Sequence, residues 1–386
     1  MLEGLDKVDW SGMDADIVPQ VLHSYVEGRK VDYHTIKTYE NIFFLNSSGE
    51  PIVYEQEFYE FFPDRKVIAK LIPFLIEIIR LPRINIDHKI NILWDLDFIA
   101  SLVDYAKDVS LPEHHKYASE LREMVWKGHD IYFKSLTSQN DDEKISVITL
   151  LSRYREYADI VLLQLLQRLQ VETDKWRVKI MELISEHFLR TNEAKESTRQ
   201  IIQDQLMSFL GKDQQDAIRI TSFRTLIDML GSETPATVID VMLEYYMQPI
   251  EESLKLSLRP VRPGRVLMTL GTQKGVKAAI KIMERSSNID AKFNAVYAAL
   301  LLTFDPSFAP NDFHMHYPSA GETSPYYTLV TPSLFYSVNV DVQNLTAVQK
   351  QVLKVLVEQD WVWEYGTNFE ERFGLPDERA TMQKLI

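Results

Sequence analysis

Between Ser253 and Met283 the chain carries Lys255, Arg259, Arg262, Arg265, Lys274, Lys277 and Lys281 and no acid. The chain as a whole has a formal net charge of −14, so this block is a local reversal of sign. The run Arg259-Pro260-Val261-Arg262-Pro263-Gly264-Arg265 would present guanidinium forks, which match carboxylate and phosphate geometry. Arg259, Arg262, Arg265, Lys274, Lys277 and Lys281 are therefore the candidate partner- or anion-binding residues. The competing reading is a solvated face balanced by acids on neighbouring elements.

Other chemistry is thinner. Gly271-Thr272-Gln273-Lys274-Gly275 lacks the spacing of a phosphate-binding loop and follows no strand pattern. It reads as a loop between two helices, in which Gly275 would let a helix N-terminus approach an anion. His314 and His316, with Asp312 near, fall short of the three or four firm ligands that zinc needs. His114-His115, His88, His129 and His187 form no ligand pattern. Cysteine is absent, which removes disulfides, thiolate chemistry and cysteine-ligated zinc together. Neither G-x-S-x-G nor H-E-x-x-H occurs. Carboxylates such as Asp95 and Asp97 read as charged helix surface, because acid–base work needs a shared cleft. The expectation is no catalytic residue, no metal and no cofactor.

The negative net charge argues against non-specific nucleic-acid binding and against docking on anionic lipid. The first residues show no basic, then apolar, signal pattern, and no run of about 18 apolar residues occurs. The expected setting is cytoplasmic, with an unidentified protein partner, no nucleic acid and no membrane.

Helical periodicity must position these residues. The most apolar stretch is Leu71-Ile72-Pro73-Phe74-Leu75-Ile76-Glu77-Ile78-Ile79, within a helix expected over 67–80 that has to be packed on several sides. Before it, helices are expected over 14–26 and 33–45 and a short aromatic one over 55–62; after it, over 87–105 and 111–134. The aromatics Tyr33 to Phe62 read mainly as core. From Asp142 a rhythm sets in: helix starts at 142, 174, 213, 252 and 290 lie roughly 32 to 39 residues apart, the first four each followed by a partner helix. Such pairs cannot bury both apolar sides alone, and stacking neighbours supplies the missing core. The rhythm fails over 304–341, which holds five prolines, and resumes with a helix over 345–358 and a cap from Trp361 to Pro376.

Leu5 to Trp10 before Ile17-Val18-Pro19, Val53-Tyr54-Glu55 before Ile72-Pro73-Phe74-Leu75-Ile76, and Phe373-Gly374-Leu375-Pro376 together resemble bacterial HEAT-repeat proteins. The middle, 142–302, matches only the general HEAT pattern, and 55–62 and 304–341 look like added material. The resemblance implies an all-α, HEAT-like solenoid of stacked antiparallel helix pairs. It would run as one domain over 1–386, with divergent repeats over 1–140, regular ones over 141–303 and an insertion plus cap over 304–386. It implies no catalytic residues. Relatives of this type serve as binding or scaffold proteins, some of them immunity-like partners of toxins.

The leading expectation is thus a protein-interaction module, not an enzyme. Its concave face, made by the second helices, would carry Gln164, Gln167, Arg168, Arg199, Gln203, Lys274, Lys277 and Lys281. Acidic surface elsewhere would suit a basic partner such as a toxin domain. The alternatives are a helical-repeat enzyme of the DNA glycosylase type, which needs a basic groove, and a small-ligand sensor with 304–341 as its lid.

Overall fold

Leu75 and its neighbours show how the N-terminal part is built. The computed structural model of the chain describes residues 17–27, 65–107, 112–185, 194–248, 263–305, 308, 342–364, 369 and 373–386. These form α-helices and short 3-10 turns with no strand among the described residues: the fold is all-α, built from packed helices. The helices expected over 33–45 and 55–62, the insertion over 304–341 with His314 and His316, and the early aromatics lie outside the described residues, apart from Phe304, Asp305 and Phe308. Contacts divide the chain into two compact units, residues 1–164 and 165–386.

In the first unit, α1 (Ile17–Glu27) packs on α2 (Arg65–Ile79), and α2 packs in turn on α3 (Ile86–Lys107) and α4 (Pro112–Trp126). That is the multi-sided burial the apolar run requires: Leu71, Ile72, Leu75, Ile76, Ile78 and Ile79 are all buried. Phe74, expected inside, is only half-buried, and Pro73 lies on the exposed side of the helix. There the N–H that proline lacks is tolerated, because water can serve the carbonyl it would have bonded.

The single helix expected over 111–134 is two. α4 ends at Trp126 and α5 (His129–Ser135) begins after Gly128. Tyr132 folds back over the break, its hydroxyl donating to the Val125 carbonyl at 2.8 Å. A Cβ at Gly128 would meet that hydroxyl at 2.5 Å, so the break takes glycine.

α6 (Asp141–Ser152) packs on α3 and α5. Its N-cap Asn140 accepts from the Glu143 amide, and three acids occupy its first turn at the positive end of the dipole. Asp95 and Asp97, expected on the surface, are buried. Asp97 receives Arg153 through two hydrogen bonds of 2.9 and 3.1 Å, which ties α3 to the end of α6. Lys89 lies 2.5 Å from Glu143 between the same helices. The division between units falls within α7 (Ala158–Val171).

In the second unit, α8 (Asp174–Ile184), α10 (Asp216–Leu230), α12 (Pro263–Thr269) and α14 (Ile289–Phe304) form a first row, each packed on the next. Their partners are α9 (Glu196–Ser208), α11 (Ala236–Tyr246), α13 (Gly271–Arg285) and α15 (Ala347–Glu358). Of these, α11, α13 and α15 are packed side by side. The starts expected at 174, 213 and 290 fall within three residues of those observed. Asn288 caps α14 through the Ala291 amide, and a Thr346–Gln349 capping box opens α15. Short helices α16 (Asp360–Glu364) and α17 (Arg379–Gln383) close the unit against α15.

Two predictions follow from the first unit. Leu75→Asp places a carboxylate where the side chain is fully enclosed and should cost on the order of 4 kcal/mol or more. Phe74→Asp, at a half-buried site, should cost clearly less; thermal unfolding of both variants checks the order. The second concerns acid. Burial disfavours the Glu143 anion, but hydrogen bonds from Lys89, Ser138 and Ser135 and the Lys89 charge outweigh it, holding the carboxyl below its ordinary range. A lowered folded-state pKa contributes stability above the unfolded value, and that contribution is lost as pH falls through the folded one. The stability gap between wild type and Glu143→Gln should therefore be widest near neutrality and close below about pH 4.

Candidate functional site

α13 decides where the basic block goes. Its sequence, GTQKGVKAAIKIMER, puts Gly275, Val276, Ala278, Ala279, Ile280, Ile282 and Met283 into the core. The remaining face is polar, and it is the face turned away from α12 and α14. The Gly271–Gly275 stretch is therefore the first turns of a helix, not a loop. Gly271 starts it at φ +72°, in the left-handed region that glycine tolerates. Gly275 faces no anion: a Cβ there would sit 2.2 Å from the Leu267 carbonyl oxygen and 2.8 Å from Leu302 Cδ1. Its role is to let α13 approach α12 and α14.

The six candidate residues do not act as one cluster. Arg259 and Arg262 lie outside the described residues. Arg265 is half-buried on α12, with Nη2 at 3.5 Å from Asp228 Oδ1 on α10. The other carboxylate oxygen of Asp228 accepts from the Ser185 hydroxyl at 2.7 Å. Three first-row segments are thus joined through one carboxylate. Lys274 reaches back to the carbonyls of Ser232 and Thr234, at 2.5 and 3.0 Å, which fastens α13 to the turn before α11. Both cations serve packing.

Lys277 and Lys281 remain on the outer face of α13, the first exposed and the second half-buried. Two cations that the acid-free block did not include join them. Arg285 continues the row at the same four-residue spacing and is exposed. Lys350, in the first turn of α15, is also exposed. Among the described residues these four have no salt-bridge partner, whereas Lys354 lies 3.9 Å from Glu358. Arg285 was passed over because the acid-free count stops at Glu284; helical spacing from Lys281 would have found it.

α13 and α15 begin at the same end of α14. The Thr272 hydroxyl donates to the Leu302 carbonyl at 3.2 Å, and the Gln349 side-chain amide donates to the Thr303 carbonyl at 2.9 Å. Their first turns stand side by side, and so do the cations that follow. Neither helix contains an aromatic residue.

The other candidates offer no reaction centre. His88 packs against Tyr25 at 4.5 Å between ring centroids, the rings tilted by 33°, and burial, opposed by Asp87, pulls its pKa down. His129 stacks on Trp126 and has Nδ1 3.0 Å from the Trp126 carbonyl. No group of three or more potential metal ligands occurs among the described residues. A shallow cleft between α10 and α11 is lined by Asp216, Arg219, Phe223, Glu244 and Tyr245. Its Arg219 is already engaged by Asp216, Glu244 and the Leu210 carbonyl. No described helix is long and apolar enough to cross a membrane.

No protein-family model matches the chain, and no curated protein matches it.

The fit at Gly275 yields a direct prediction. Gly275→Ala gains about 1 kcal/mol of helix propensity but drives a methyl into a backbone oxygen that cannot swing away. The clash should win, with a net loss of about 1–2 kcal/mol and a lowered thermal midpoint. An equal or raised midpoint would show that the helices are not held this close.

Proposed function

We propose that the chain is a protein-interaction module, related in design to HEAT-repeat scaffolds, and that the row α11–α13–α15 is its binding surface. The observation that carries this reading is the layering of the second unit. α14 is enclosed by α12, α13 and α15, while the second-row helices are covered on one side and open on the other. On the open side stand Thr237, Asp240, Gln273, Lys277, Lys350 and Gln351. A continuous row of parallel helices offers a partner many shallow contacts from rigid elements, the way repeat proteins bind. The reading places the protein in the cytoplasm, where a cysteine-free chain loses nothing to the reducing conditions.

Photo-crosslinking in the native host tests it. A photoreactive residue at Thr237, Gln273 or Gln351 should give a discrete adduct with one partner protein. The same residue at Lys175 or Gln215, exposed on first-row helix starts, should give none. No adduct from the row, or the same adducts from both sets, would remove the reading.

A further inference from the structure

We infer that the open face of α13 and α15 takes an acidic protein segment in extended conformation. The inference rests on the interaction reading above and names the partner's chemistry. Lys277, Lys281 and Arg285 follow one another at four-residue intervals, so their Cα atoms rise about 6 Å per step along α13. An extended chain repeats its same-side residues every 6.6–6.8 Å or so. A strand of alternating acids laid along α13 therefore meets one cation per acidic residue over three successive positions. Lys350 widens the stripe. It lies one residue beyond Gln349, which is anchored on α14 beside the anchor of Thr272, so it borders the first half of α13.

The charges are available for a ligand. Arg265 and Lys274, the other described cations of the basic block, are held by Asp228 and by two carbonyls, while the four stripe residues have no ion pair among the described residues. In a chain of net charge −14, a row of three cations at four-residue spacing on one helix face is a local reversal of sign. Glu284 and Glu358 flank the stripe and limit its field to a narrow band. A narrow band suits a single peptide segment better than a nucleic acid, whose affinity grows with the number of phosphates neutralised. The absence of aromatics from α13 and α15 also removes the stacking platform that single-stranded nucleic acid uses.

Fluorescence anisotropy with the full chain and a labelled oligoglutamate peptide tests the inference. The peptide should bind at low salt and weaken as salt rises. Lys277→Glu/Arg285→Glu/Lys350→Glu alters only exposed side chains and should weaken binding roughly tenfold, as three exposed attractions become repulsions. Lys116→Glu/Lys127→Glu/Lys134→Glu makes the same change in net charge on exposed sites of the first unit and should bind like wild type. Circular dichroism of both variants should match wild type. Failure of the wild type to bind, equal weakening by both variants, or tighter binding of oligothymidylate through the same residues would each overturn the inference. If the row crosslinks a partner but oligoglutamate does not bind, the partner chemistry is wrong and the interaction reading stands. If oligoglutamate binds but the row yields no partner adduct, the interaction reading falls and the inference with it.

Discussion

The second unit depends on how closely α13 can lie against α14. Both helices bury small residues: Gly275, Ala278 and Ala279 on α13, Ala291, Ala295, Ala298 and Ala299 on α14. Dispersion falls off steeply with separation, so each tenth of an ångström gained across such a contact is shared by many atom pairs. The same closeness leaves no room for a long side chain on the inner face. Every cation of α13 is therefore confined to the outer face or, like Lys274, to the helix's edge. The outward row of cations is a by-product of tight packing behind it.

Charges buried between helices play a different part. Asp97 with Arg153, Glu143 with Lys89, and Asp228 with Ser185 and Arg265 each join elements far apart in sequence. Desolvation consumes much of what such pairs gain, so their net contribution to stability is small. Their effect is on alternatives: a helix sliding by one turn would strand a buried carboxylate. In a stack of similar helix pairs, where many registers bury comparable apolar area, that penalty selects one.

Helix content and rhythm were legible because they rest on local signals. Asn288 and Thr346 announce caps, and acids at 141–143, 174 and 216 mark helix starts. Much of the candidate surface was not legible. Arg265 finds Asp228 and Lys274 finds Ser232 only through tertiary packing, across 37 and 42 residues. Two glycines misled for a related reason. Gly275 looked like loop punctuation but sits inside a helix because another helix crowds it, and Gly128, inside the helix expected over 111–134, divides α4 from α5 beneath Tyr132. Phe74 was misplaced because an apolar run does not say which of its members faces outward; Pro73 beside it carried that hint.

The bond from Gln349 to the Thr303 carbonyl has an evolutionary side. It holds the first turn of α15 against the last turn of α14, so two residues 46 apart in sequence meet in space. Closure entropy grows only with the logarithm of length. Whatever is spliced between these two helices, long or short, loads the helices on either side about equally little. The position is therefore a natural port for inserted sequence, since a change of length there leaves the packing of α14 on α15 as it is.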